Sequence, residues 1–184
     1  MASVSGFLFQ AIGMLRRAIG LSPNQFSNWL TVDVGIYKTS EACLAAMKEK
    51  DRSLNRLSKG CLQRVGWAQE EDQEEIVKIL DRELGLVWTY TLGELSTAAL
   101  AFGLYPCRAE VGPALCMQDA DLPVCEIFAI FMEPILDLHG DPQMFSVVRY
   151  SDATALHVMW AEPKFRHTPG TTWVFSRRKP ASAT

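Results

Sequence analysis

The sequence predicts an α+β fold, in which a helical N-terminal half packs on a C-terminal antiparallel β-sheet with meander order. Two observations favour this class. Apolar residues recur at helical spacing in the first half of the chain, and β-rich segments separated by turn residues follow Tyr105-Pro106. The chain has 184 residues, which fits a single domain. We assign residues 1–178 to this domain and 179–184 to a disordered tail.

The N-terminal segment is predicted to begin with two helices. Residues 5–19 place their apolar side chains on one stripe. Ser22-Pro23 supplies a cap followed by proline at the first helical position, so a short helix through Leu30 should follow. The segment 31–37 is predicted to be a strand or an extended link.

A long helix is predicted for residues of about 40–59. Thr39 or Ser40 can cap its N-terminus, and Gly60 is positioned to end it.

Two more helices are predicted before the sheet. The first, about 69–84, opens with acidic residues, which the helix dipole favours in the first turns, and ends at Gly85. The second begins at Thr91 and Glu94, which have the spacing of a capping box, and stops at Gly103.

The C-terminal half is predicted to be a set of strands bounded by turn residues. They cover 108–117, 124–132, 144–150, 155–161 and 171–177. The strand 124–132 is apolar on both faces, which indicates a central position. The strands 144–150 and 155–161 should form a hairpin with its turn near Asp152.

Charge is concentrated in the middle of the chain. Residues 70–141 contain 15 Asp/Glu and three Lys/Arg, whereas the whole protein has a net charge of −3. Five carboxylates crowd the start of the predicted helix at Glu70, Glu71, Asp72, Glu74 and Glu75. Helix stabilisation needs only one or two of them. We therefore predict an exposed acidic surface that binds a basic protein partner, as a small inhibitor or immunity-type protein would.

The five cysteines indicate a reducing compartment. Their number is odd and no C-x-x-C occurs, so free thiols and a cytoplasmic location are expected. No apolar run reaches the roughly 18 residues of a membrane span, and no basic residue precedes the N-terminal apolar stretch as in a secretory signal. Neither a Gly-rich phosphate loop nor a G-x-S-x-G elbow is present, and we expect no cofactor.

The segment LDLHGDPQMF raises the question of a metal site. In an extended strand Asp137, His139 and Asp141 would share one face. However, Gly140-Asp141-Pro142 is typical of a turn, which breaks that geometry. We predict a turn between two strands, capped by Asp141, and no bound metal.

Residues 137–140 also carry a short motif. Asp-Leu-His-Gly resembles the D-x-H-G element of calcineurin-like metallophosphatases, over four of 184 residues. That family also needs an Asn-His pair and further histidines. The two other histidines, His157 and His167, do not follow Asn, so the family's roles are not carried over.

An alternative function is small-molecule binding or hydrolysis in a curved, helix-backed sheet of the NTF2-like type, which encloses an apolar pocket with a few polar groups. The pocket residues proposed on this interpretation are His157, Trp160, Tyr150 and Cys125, with Phe128, Phe131 and Trp173 as further aromatic lining. Cys125 and His157 are the best nucleophile and base, because they lie on strands of the same sheet. No local signature supports catalysis, so no catalytic residue is assigned and a non-enzymatic role is favoured.

The sequence also bears on nucleic acid, membrane and a second copy of the chain as partners. Arg177-Arg178-Lys179 follows Trp173 and Phe175, a pattern that can bind phosphates and stack bases. The net negative charge argues against this, and we expect neither nucleic acid nor membrane binding. A homodimer through the N-terminal helix is left open.

Overall fold

The computed structural model describes residues 26–118 and 122–178. Its strands are β1 (Leu30–Val34), β2 (Ser53–Leu54), β3 (Asp72–Leu80), β4 (Ile127–Ile130), β5 (Ile135–Leu136), β6 (Pro142–Arg149), β7 (Thr154–Trp160) and β8 (Thr172–Ser176). Its α-helices are short: α1 (Ser40–Glu49), α2 (Arg56–Leu62), α3 (Leu92–Ala101) and α4 (Val111–Met117). A 3-10 helix covers Asp81–Leu84.

The strands form one mixed, curled sheet, and the predicted helical half packed on an antiparallel meander is wrong. The strand order is β1-β3-β8-β4-β6-β7-β2, with β5 beside β6. β4 pairs parallel with β8, and β2 pairs parallel with β7. The N-terminal half therefore contributes strands to the sheet, and β8, the last strand of the described residues, lies between β3 and β4.

The predicted helix over 69–84 is a strand, β3, followed by the 3-10 helix. β3 pairs with β1 on one side and β8 on the other. Its side chains alternate between buried Glu74 and exposed Glu75, and Ile76 is buried again. Backbone pairing on both edges outweighs the helix propensity of the Glu-rich segment. Gly85 does end the helical turn, in a left-handed conformation with φ 85°.

The predicted long helix over 40–59 is interrupted. Thr39 caps α1 as expected, by accepting a hydrogen bond from the Ala42 amide. The chain then leaves the helix near Asp51, whose φ is 54°, and pairs with β7 before Asn55 starts α2. Gly60 lies inside α2 rather than at the end of a helix.

Two other local predictions are wrong. Residues 111–117 form helix α4 and not a strand. Gly112 lets this helix approach β6 closely, because a Cβ there would lie 2.7 Å from the Cβ of Phe145. At the N-terminal end, residues 26–29 are not helical and Leu30 begins β1. The predicted helix over 5–19, Ser22-Pro23 and the tail over 179–184 lie outside the described residues.

Several elements were predicted correctly. Thr91 and Glu94 form a reciprocal capping box at the start of α3. β6 and β7 form the expected hairpin, in which Arg149 pairs with Thr154 around the turn. β4, within the strand predicted to be central, is an interior strand of the sheet.

The two faces of the β4–β6–β7 region differ in how they are covered. Phe128, Val147 and Leu156 are register partners, and each is completely buried. Helix α4 packs on this face through Phe145. The opposite face of the same three strands contains a cleft, which forms the candidate site.

Candidate functional site

A cleft of about 650 Å³ lies on the face of β4, β6 and β7 opposite Phe128, Val147 and Leu156. Its floor is a row of register partners, Ala129, Ser146 and His157, one from each strand. Trp173 on β8 continues the row beyond Ala129. Because the side chains of Ala129 and Ser146 are small, the cleft is deepest over these two residues, between the larger side chains of Trp173 and His157.

The residues that line the cleft come from four separate segments of the chain. The lining residues are Cys125, Glu126, Ile127, Ala129, Ser146, Val148, Tyr150, His157, Val158, Met159, Gly170, Thr171 and Thr172. An apolar floor with a few polar groups at its edge is typical of small-molecule sites. Three of the four pocket residues proposed from the sequence, Cys125, Tyr150 and His157, lie here together.

Trp160, the fourth proposed residue, does not line the cleft. It is at the end of β7, its side chain is 43% exposed, and it is register partner to Gln143. Among the further aromatic residues, Phe128 is on the opposite, covered face and stacks on Trp29 with ring centroids 4.9 Å apart. Phe131 packs edge-on against buried Trp173. These aromatic residues belong to the core and its rim.

His157 is held between two side chains. The Nδ2 of Asn55 lies 3.4 Å from its Nδ1, and the hydroxyl of Tyr150 lies 3.3 Å from its Nε2. Asn55 is the N-cap of α2, where its Oδ1 accepts a hydrogen bond from the Ser58 amide. The imidazole is thus fixed at one end by a helix cap and directed at the other toward a phenol on the cleft wall.

Cys125 is placed at the cleft by an unusual backbone conformation. Its φ is 64°, a region that residues other than glycine rarely occupy, and its amide donates to the Arg149 carbonyl at 2.7 Å. Its side chain is exposed. Within the described residues its thiol makes no hydrogen bond to His157, so the predicted nucleophile–base pair is not assembled.

Glu126 is a carboxylate of the cleft that the sequence reasoning did not select. Its Oε1 accepts a hydrogen bond from the Thr172 hydroxyl at 3.1 Å, which ties β4 to β8 at the cleft edge. Asn55 was also missed. The sequence does contain a local signal that Asn55 caps a helix, because its side chain can accept a hydrogen bond from the amide of Ser58, three residues later. Its contact with His157 cannot be predicted in this way, because the two residues are 102 positions apart.

The acidic segment is divided between the core and the surface. Glu74 is 2% exposed and bonds to Arg108 through Nε at 2.9 Å, and the same guanidinium bonds to Asp72 at 2.8 Å. Arg178 also pairs with Asp72. The Gln73 amide and these two arginines lower the pKa of Asp72. Asp72 and Glu74, two of the five predicted partner-binding carboxylates, therefore form ion pairs inside the molecule.

The other three carboxylates are exposed. Glu70 and Glu71 lie in the loop before β3, and Glu75 on β3 accepts a hydrogen bond from Asn28 at 2.8 Å. These residues lie in a strand and in the loop before it, whereas the prediction placed them at the start of a helix.

The segment LDLHGD forms the predicted turn, between β5 and β6. The cap is Asp137 and not Asp141: its Oδ1 accepts hydrogen bonds from the amides of His139 at 2.8 Å and Asp141 at 3.0 Å. Burial raises the pKa of the Asp137 carboxyl, but these amide donors outweigh it, and the pKa is lowered overall. In the described part of the chain no three metal-ligating side chains are grouped.

All five cysteines are free thiols, as predicted. Four of them are buried, Cys43, Cys61, Cys107 and Cys116, and Cys125 is exposed.

The aromatic–basic pattern near the C-terminus has a structural explanation. Trp173 and Phe175 are completely buried in the core. Arg177 donates to the Asn28 side chain at 3.1 Å, and Arg178 pairs with Asp72. The aromatic rings are therefore not available for base stacking.

Over the described residues, no helix has the length and apolar character needed to cross a membrane. Comparison with known proteins found no matching family model, no matching curated protein and no matching solved structure.

Proposed function

We propose that this protein binds a small organic molecule in the cleft on β4, β6 and β7. The observation that carries the proposal is the convergence of His157, Tyr150, Cys125 and Glu126 on one concave, partly apolar surface. A volume of about 650 Å³ lies within the range of ligand pockets.

Binding rather than catalysis is proposed because of the hydrogen bonds of His157. Both of its ring nitrogens face protein groups, Asn55 and Tyr150, and the Cys125 thiol is not one of them. A base that activates a nucleophile needs that nucleophile within hydrogen-bond reach. The imidazole instead orients the hydroxyl of Tyr150, which is the group that contacts the ligand.

The test is to fill the floor of the cleft. Ser146→Val adds bulk at the lowest point of the row while keeping strand propensity. We expect fragments that shift the amide NMR signals of Tyr150, His157 and Thr172 in the wild type to bind at least about tenfold more weakly to this variant. Ser53→Val, the same change at an exposed position of β2, is the matched control and should bind normally. The proposal fails if no fragment shifts the cleft signals, or if both variants bind equally.

A second proposal concerns the exposed carboxylates Glu70, Glu71 and Glu75, which are a candidate docking surface for a basic protein. Asp72 and Glu74 are not part of this surface, because both pair with Arg108. The test reverses only the exposed carboxylates to lysine and measures association with proteins captured from a lysate at two salt concentrations. We expect association with a basic partner to slow with the reversal and with added salt, because exposed charges are screened over about 8–10 Å. A partner whose association rate ignores both changes contradicts this proposal.

A further inference from the structure

The side-chain amide of Asn55 has only one orientation that satisfies its neighbours. Its Oδ1 accepts hydrogen bonds from the Ser58 amide at 2.8 Å and from the Ser58 hydroxyl at 2.9 Å. A flipped amide would direct its NH₂ group at the Ser58 backbone N–H, which cannot accept a hydrogen bond. The group that faces Nδ1 of His157 is therefore the NH₂ of Asn55, a donor.

This orientation determines the tautomer of His157. Because Nδ1 faces a donor, it must be the unprotonated nitrogen, and the proton of the neutral imidazole is on Nε2. Nε2 lies 3.3 Å from the hydroxyl oxygen of Tyr150, so Nε2–H donates to that oxygen. The phenolic hydrogen of Tyr150 is then left for another acceptor.

We infer that the Asn55–His157–Tyr150 chain makes Tyr150 a hydrogen-bond donor into the cleft, and that the ligand is an amine-bearing molecule with a carbonyl-type acceptor oxygen. The ligand class rests on the proposed binding function, whereas the direction of the hydrogen bonds does not. The oxygen accepts from Tyr150. The amine is selected by Glu126, whose carboxylate is on the cleft wall, while no Lys or Arg is among the described lining residues. An anionic ligand would be repelled by Glu126.

The first experiment measures the tautomer directly in the free protein. Nitrogen-15 NMR of the histidine ring distinguishes Nε2–H from Nδ1–H, and we expect Nε2–H for His157 in the wild type. Asn55→Asp should keep the helix cap, since Asp is an equally good N-cap residue. It presents an acceptor to Nδ1 in place of a donor, so the proton should appear on Nδ1. Asn28→Asp, the same charge change at a distant exposed position, should leave the His157 signals unchanged. An Nδ1–H tautomer in the wild type, or no change in Asn55→Asp, overturns the inference.

The second experiment tests the ligand class with three probes of similar shape: 4-(aminomethyl)benzamide, 4-methylbenzamide and 4-carbamoylbenzoate. We expect affinity to fall from the cation to the neutral amide to the anion. Tyr150→Phe should weaken the binding of the neutral amide about tenfold, through loss of one hydrogen bond. Glu126→Gln should remove the preference for the cation. We expect that preference to be about fivefold in affinity, as for a partly exposed charge pair.

The outcomes separate this inference from the proposed function. If fragments bind the cleft but the three probes show no order, or Tyr150→Phe binds as the wild type does, the ligand class is wrong and the binding function stands. If nothing binds the cleft, the binding function and the ligand class both fail, and the tautomer measurement still decides the hydrogen-bond direction in the free protein.

Discussion

His167 is a histidine whose protonation the fold resists. Its side chain is only 6% exposed and is surrounded by the rings of Tyr90, Phe165 and Trp173 at centroid distances of 5.9, 4.9 and 5.7 Å. Its Nε2 is buried and has no hydrogen-bond partner among the described residues. Burial among these rings lowers the pKa of the imidazole, because a charged ring would lose its hydration there.

The lowered pKa of His167 predicts a loss of stability in mild acid. The unfolded chain takes up a proton near pH 6.5, whereas the folded protein takes it up only at a lower pH. The contribution of His167 is therefore fully present above about pH 6.5 and is lost as pH falls from there to the folded-state pKa. His167→Phe should flatten urea-measured stability between pH 7 and pH 5, and His139→Gln, at an exposed histidine, should not. Equal pH dependence in wild type and His167→Phe would contradict the assignment.

The cysteines give a second prediction at the residue scale. Burial raises the pKa of Cys43 and of Cys116 to about 12, and that of Cys107 well above its ordinary value. Thiolate is the reactive form, so these residues should react slowly in the folded protein. Titration with a thiol reagent should count one fast thiol in native buffer, lost in Cys125→Ser, and five after denaturation. A second fast thiol would show that one of the buried cysteines is exposed in solution.

At the scale of elements, the strength of the local signals decided which predictions were correct. The Thr91–Glu94 capping box and the β6–β7 hairpin depend on residues close in sequence, and both were found. β3 was mistaken for a helix because its first residues are Glu, Asp and Gln, which have little strand propensity. Its strand conformation depends on β1 and β8, which are far away in sequence. Pairing of that kind is not visible in a local pattern.

The ion pairs of β3 give a prediction at this scale. Glu74 has a 3% exposed side chain and depends on Arg108 for compensation of its charge. Arg108→Met should cost roughly 2–3 kcal/mol of unfolding free energy. The estimate is below the 3–5 kcal/mol for a fully buried pair, because Arg108 is itself partly exposed. Glu75→Gln, one residue further and on the exposed side, should change stability by less than about 0.5 kcal/mol. Chemical denaturation of both variants checks the prediction, and similar losses would mean that Glu74 is not buried.

For the whole molecule, the sequence predicted a pocket near His157, but not the strand register that forms the floor of the cleft. Cys125, Tyr150 and His157 were grouped because strands and a hairpin place them in one sheet. The register that aligns Ala129 with Ser146 and His157 is a property of the assembled sheet, as is the contact between Asn55 and His157 across 102 residues. Trp160 was predicted to line the pocket because it is large and lies on a strand with alternating faces. It is exposed instead, because burial decreases along β7 toward this end of the strand.

The position of β8 gives the prediction for the whole molecule. β8 is the last strand of the described residues but pairs with both β3 and β4, so it joins the β1–β3 part of the sheet to the β4–β6–β7 part. It also carries Trp173, Val174 and Phe175, all completely buried. Replacement of a single buried Phe or Trp by Ala costs about 3–5 kcal/mol of unfolding free energy, which is a large fraction of the 5–15 kcal/mol by which a whole domain is stable.

A chain ending at Gly170 should therefore lose cooperative thermal unfolding, and all five of its thiols should react as fast as in the denatured protein. A synthetic peptide of residues 171–178 should restore cooperative unfolding, because the gap between β3 and β4 offers it two backbone edges. The same peptide with Val174 replaced by Asp should not restore it, since the carboxylate would be buried in the core. If the shortened chain unfolds cooperatively without the peptide, contacts other than those of β8 join the two parts of the sheet, and the prediction is wrong.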